Sequence, residues 1–188
     1  MHLRYAYKEW SAILHGLATG QQSILLRKGG IAEGPFQPLA EPFAFYPTYV
    51  HQQTTGLADH AADWLTTALA HAPPTGQVPL TLVAELVGVY HVTDVVPLLL
   101  LADWHGWSET TVRQRFAYRT PGLHVQVVRV HRLTEPIVLT ETPAFAGCKT
   151  WVELPTPIDV QAKPVLDDAA FADVVERVAR RLNATAMV

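Results

Sequence analysis

Two stretches of the chain combine cations, aromatic rings and glycines in a way that suits a phosphate. The first is Arg27-Lys28-Gly29-Gly30, two cations at the end of an apolar run followed by a glycine turn. Backbone N–H groups in such a turn can face an anion. A second apolar run, 42–46, stops at Pro47 and leads on to Tyr49 and His51, a phenol and an imidazole. The second stretch is RQRFAYR, residues 113–119, in which Arg113, Arg115 and Arg119 interleave with Phe116 and Tyr118. On a helix Arg115 and Arg119 share a face. Guanidinium forks match phosphate, and a tyrosine ring can stack on a base. The candidate anion or nucleic-acid site is therefore Arg27, Lys28, Gly29, Gly30, Tyr49, His51, Arg115, Tyr118 and Arg119, on condition that two distant segments meet in space. The competing reading pairs these cations with the chain's 17 acidic residues.

Other chemistries leave weaker traces. Among nine histidines the best metal-like cluster is His51, Asp59, His60 and Asp63, with the two aspartates one helical turn apart. It reads more simply as an exposed polar helix face, and no metal or cofactor is expected. Asp103 and His105 have the composition of an oriented base, with no nucleophile nearby. His91, His124 and His131 fall in strand-like runs and read as polar-face or hydrogen-bonded residues. The single cysteine, Cys148, excludes an internal disulfide and a multi-cysteine zinc site, and reads as a small buried residue. Motifs for dinucleotides, for a P-loop, for zinc proteases and for serine hydrolases are absent. A nuclease of the ExK type lacks its lysine: Glu85 precedes Leu86 and Val87, and Glu153 precedes Leu154 and Pro155.

Composition sets the frame for these groups. The chain has 188 residues, 49% of them apolar and 16% charged, which is a core-building composition and the length of a single domain, 1–188. The formal charge of -3 excludes a strongly basic binder, so a nucleic-acid footprint must be local. The charged N-terminus MHLRYAYKEW lacks the apolar run of a signal peptide. The longest apolar run, Val95 to Ala102, is interrupted by Pro97 and is far short of the ~20 residues of a membrane span. A soluble cytoplasmic protein is expected.

The elements that must position the site follow from periodicity. Leu3, Ala6, Tyr7, Trp10, Ile13, Leu14 and Leu17 recur at helical spacing, with Gly20 as a stop. Strands are predicted at 23–28 and 42–46. A helix follows over 57–71, capped by Thr54 or Thr55 and ended by Pro73-Pro74. Residues 79–92 are the most strand-like run; both faces are apolar except at Glu85, which predicts a central strand and a buried partner for that carboxylate. Thr93 or Asp94 caps a helix over 95–104, and Ser108 caps another through Tyr118. Strands are predicted at 123–133, with a phase shift near Val127 and Val128, at 136–140 and at 148–154. The proline-rich segment 155–164 reads as a loop. Asp167 or Asp168 caps a last helix whose arginines, Arg177, Arg180 and Arg181, read as a solvated helix end.

The blocks YKEW, LLRKGGI, FAFYPTYVHQ, VRVHRL, GCKTWVEL and PVLDDAAF, spaced over nearly the whole chain, resemble a mainly bacterial family known as domain of unknown function 1802. The resemblance implies one continuous unit and supplies no catalytic residue and no substrate.

The fold expected is α+β: a mixed or mostly antiparallel sheet with helices on one side and flanking helices at both termini. A partly closed PUA-like barrel, the architecture of some RNA-binding domains, is one form open to such a sheet. The leading function is a nucleic-acid or nucleotide-binding module without catalysis of its own. Two alternatives stand beside it: a hydrolase acting on a phosphate-containing substrate through His51 or a metal, and a structural or partner-binding protein.

Overall fold

The structure is a computed structural model that describes residues 1–29, 41–50, 52–145, 147 and 149–182. Gly30, His51 and Cys148 lie outside the described residues. The chain begins with strand β1 (His2–Trp10), not with the predicted helix, and helix α1 (Ser11–Ala18) follows it directly. The apolar residues before Trp10 mimic a helical stripe because both sides of β1 are covered: Leu3 and Ala6 lie in one core and Tyr7 in another. Gly20 ends α1 as expected, at φ 73, where an L side chain is strained.

Strand β2 (Ile24–Arg27) and strand β3 (Phe43–Thr48) do not form a hairpin. β3 lies parallel to β1, with Tyr7 opposite Phe45 and Trp10 opposite Thr48. A 3-10 turn, Thr54–Gly56, stands at the predicted cap of the second helix, a second one, Asp59–Ala61, replaces part of its first turns, and α2 covers Ala62–Ala70.

Strand β4 (Gln77–Val92) is central, between β3 and the 18-residue β5 (Leu123–Thr140). The register shift between Leu86 and Gly88 lies opposite Val127 and Val128, where the sequence pattern changes phase. Its Thr81, Glu85 and Val87 positions are nonetheless exposed. The Glu85 side chain is 49% accessible, with its carboxylate 3.8 Å from His131 Nε2. The partner, His131, is largely covered at 12% accessible, but with the carboxylate half-exposed the pair contributes at most about 1 kcal/mol.

Asp94 caps α3 (Val95–Leu99) by accepting from Val96 N at 3.0 Å. Ser108 caps α4 (Glu109–Ala117) by accepting from Thr111 N at 3.3 Å. The segment read as a proline loop is instead the end of β6 (Trp151–Asp159) and the short β7 (Ala162–Pro164). Edge positions tolerate those prolines because no ladder N–H is required of them. Helix α5 (Asp168–Leu182) closes the described chain, with Asp167 accepting from Ala170 N at 2.8 Å.

The fold is α+β, with a seven-stranded mixed sheet of order β2-β5-β4-β3-β1-β6 and β7 alongside β5. The sheet is open, since β2 and β6 do not pair. All five helices contribute to, or pack on, one core with the strand residues of that face, including Ile13, Trp64, Leu98, Val112 and Phe171. The opposite face has a smaller core of Leu3, Ala44, Leu80, Val83 and Val152. No helix among the described residues is long and apolar enough to cross a membrane.

Candidate functional site

Tyr7 and Glu9 occupy alternate positions at the end of β1 and therefore point to the same face. Both are buried. Glu9 Oε1 accepts from Trp10 N at 2.8 Å, and Oε2 lies 3.7 Å from Arg27 Nη2. Arg27, at the end of β2, donates from Nε to the Tyr7 hydroxyl and from Nη2 to the Lys8 carbonyl. Its guanidinium carbon is 4.4 Å from the Tyr7 ring centroid. Tyr7 donates in turn to Gln126 Oε1 at 2.9 Å on β5. Burial pushes the Tyr7 hydroxyl up to about 12 against the opposing pull of Arg27, so it stays a donor at neutral pH. In sheet order β2 and β1 are separated by three strands, yet Arg27 bridges them. Twist and bulges curl the sheet toward its helix-bearing face and bring its two ends within side-chain reach.

Arg115 approaches from α4. Its guanidinium carbon lies 3.6 Å from the Trp107 ring centroid, and Trp107 packs edge-on to Trp10 at 4.9 Å. Burial lowers the Arg115 pKa from its ordinary value, while the charge of Glu9 opposes that shift. Among the described residues Arg115 has no hydrogen bond or ion pair, although Arg113, two positions earlier, pairs with Glu109 at 2.7 Å. Tyr118 and Arg119 leave the end of α4 exposed to solvent. Arg119 has φ 60, a left-handed conformation that few non-glycine residues adopt. Lys28 fixes this turn from below: its ammonium donates to the carbonyls of Phe116 (2.9 Å), Thr120 and Gly122 (2.9 Å).

These groups line two adjoining cavities. The outer one, about 650 Å³, is bounded by Arg27, Lys28, Gly29, Tyr118 and Arg119. The inner one, about 610 Å³, is bounded by Glu9, Arg27, Tyr49, Arg115 and Lys149. Arg27 and Thr150 line both. Burial raises the Tyr49 pKa, so its phenol also remains protonated. The two segments singled out in the sequence thus both contribute to this pair of cavities, which share Arg27 and Thr150, but not in equal roles. Lys28 donates its ammonium to carbonyls, whereas Arg115 and Arg119 have their guanidinium groups over the rings of Trp107 and Tyr118. Sequence reasoning missed Glu9, Lys8, Trp10 and Lys149 as lining groups. A strand alternation in YKEW was the available signal, and the helical assignment hid it.

The remaining candidates are structural. His105 is 1% exposed, and its Nδ1 accepts from Trp107 N at 3.2 Å. Burial, reinforced by the nearby His60, pushes its pKa down to about 4, so the ring is neutral. The His60 ring lies edge-on to Trp64 at 5.8 Å. Among the described residues no three His, Cys, Asp or Glu side chains are grouped as a metal ion requires. On α5, Arg177 pairs with Asp173 (2.8 Å) and Arg180 with Glu176 (2.5 Å), while Arg181 donates to the Leu100 carbonyl, as a solvated helix end should.

The family model described as Domain of unknown function (DUF1802) matches residues 6–177. The chain belongs to this family. In this DUF1802 chain the matched span runs from within β1 into α5 and contains every group of both cavities named above. No curated protein matches it significantly. Among solved structures, ASCH from Zymomonas mobilis is similar at 13% identity, with a TM-score of 0.48 and coverage of 92% of this chain and 93% of that one. Two single-site mutant forms of the same protein give 14% identity with a TM-score of 0.48 and 12% with 0.46, over 92% of this chain and 94% and 96% of theirs.

Proposed function

We propose that this DUF1802 domain is a nucleic-acid or nucleotide-binding module without chemistry of its own, and that the two joined cavities form its binding face. Arg27, Arg115 and Arg119 contact phosphates; Tyr49 and Tyr118 offer surfaces for bases; Lys28 and Gly29 complete the rim, with Gly30 and His51 adjacent in sequence. The single observation that carries this reading is that three arginines from two distant segments, together with two tyrosines, line two cavities that share Arg27 and Thr150. Forked guanidinium groups bind phosphate oxygens in pairs, and aromatic rings accept any base by stacking. With a chain charge of -3, attraction to a polyanion must come from such a local patch.

The test is fluorescence anisotropy with labelled single-stranded RNA and DNA over a range of salt concentrations. Binding should weaken linearly in log–log form, by about 0.7 per neutralised phosphate on single strands. Replacing Arg115 and Arg119 together by Gln should flatten that slope by roughly 1.4, with loss of the Arg115–Trp107 contact lowering the melting temperature by about 2–8 °C. Absence of binding to oligonucleotides and mononucleotides at low salt would sink the proposal.

A further inference from the structure

The inner cavity has a charge pattern unlike that of an open strand-binding groove. Among the described residues its lining holds four cations, Lys8, Arg27, Arg115 and Lys149, against two carboxylates, Glu9 and Glu141. Lys8 and Arg27 are tied to carbonyls and to Tyr7. Arg115 has no hydrogen bond or ion pair among the described residues: its guanidinium carbon lies 3.6 Å from the Trp107 ring centroid, the charge of Glu9 favours its charged form, and that of Arg27, less strongly, opposes it. A desolvated guanidinium with like charge nearby is costly unless an anion joins it. The excess of two positive charges matches a terminal phosphate, which carries close to two negative charges at neutral pH, better than an internal diester, which carries one. The volume, about 610 Å³, exceeds what an inorganic anion fills and lies within the range of small-molecule sites. Trp10 and Tyr49 on the wall provide apolar surface for the rest of the ligand.

Building on the nucleotide-binding reading above, we infer that the inner cavity receives a phosphomonoester: a nucleoside monophosphate or the phosphorylated end of a strand, with its phosphate on Arg115 and Arg27. Glu9 has a part in this arrangement. Its carboxylate keeps the two guanidinium groups close together and is placed to accept from a ligand hydroxyl or amino group.

The experiment is calorimetric titration of the full chain with the four ribonucleoside 5′-monophosphates, the matching nucleosides, and one short single-stranded RNA prepared with a 5′-phosphate, a 3′-phosphate or hydroxyls at both ends. At least one monophosphate should bind at least about 30-fold more tightly than its nucleoside, and one of the phosphorylated RNAs should bind about 10-fold more tightly than the hydroxyl form. Arg115→Met, which keeps the apolar contact with Trp107, should remove that preference, and so should the surface variant Lys149→Ala in part, so a folding defect in the first does not leave the question open. Equal binding of phosphorylated and hydroxyl ends, unaltered by either variant, would overturn the phosphomonoester site and leave general nucleic-acid binding intact. Failure of every nucleotide and oligonucleotide to bind would instead remove the underlying function.

Discussion

Arg115 lies over the face of Trp107, with its guanidinium carbon 3.6 Å from the ring centroid, and this contact holds a cation that has no ion pair among the described residues at the wall of the inner cavity. The indole thereby does two jobs, filling the core at 2% exposure and orienting the guanidinium. A desolvated cation–π pair contributes about 1–2 kcal/mol. A double-mutant cycle with Trp107→Leu and Arg115→Met, read by urea denaturation, should show coupling of about that size. Strict additivity would mean that the stacking contributes nothing to stability.

His105 makes the fold sensitive to acid. Its folded pKa of about 4 is below the ordinary value of about 6.5, so the unfolded chain binds the extra proton between those two pH values. Stability from this group is complete above pH 6.5, declines as pH falls toward 4, and is lost below that. The full effect is on the order of 3 kcal/mol. Denaturation midpoints measured from pH 4 to 8 should converge with those of His105→Gln in acid and separate near neutrality. Parallel curves would show that His105 does not titrate differently in the two states.

Gly16 and Gly106 leave room for one ring. A Cβ at either position would overlap the Trp64 indole, which reaches from α2 into the gap between α1 and the turn before Trp107. Alanine normally favours a helix interior over glycine by about 1 kcal/mol. At Gly16 the clash should reverse that sign, with Gly16→Ala and Gly106→Ala each costing about 1–3 kcal/mol. Trp64→Phe should recover part of the loss in either background. A neutral or stabilising Gly16→Ala would show that the indole moves aside freely.

Lys28 is expected to matter for position more than for charge. Lys28→Met removes three donations to the turn after α4 and should cost about 1.5–3 kcal/mol. Amide exchange at Gly122, whose N–H donates to the Phe116 carbonyl at 3.2 Å, should accelerate. Lys28→Arg should not rescue it, because a planar fork cannot converge on three carbonyls as an ammonium does. Full rescue by arginine would point to charge alone.

The sequence by itself determined the α+β class, the central place of β4, the cap at Ser108 and the stop at Gly20, and it narrowed two further caps to Thr93 or Asp94 and to Asp167 or Asp168, of which the structure uses Asp94 and Asp167. These rest on local physics: alternation along a strand, side-chain oxygens at helix starts, and backbone conformations that glycine tolerates. It also marked Arg27, Arg115, Tyr118 and Arg119 as groups suited to phosphate. Only tertiary structure decided which cavity each of them lines. β1 was hidden because covering a strand on both sides erases its period-two signal, and with it went Glu9. The strand–strand pairing that carries Arg27 onto Tyr7 and Lys8 depends on the curl of the whole sheet, and so does the meeting of residues 27 and 115. Whether a lysine binds a ligand or three carbonyls is likewise a matter of where the chain returns, 88 to 94 residues later, and no local pattern encodes that distance.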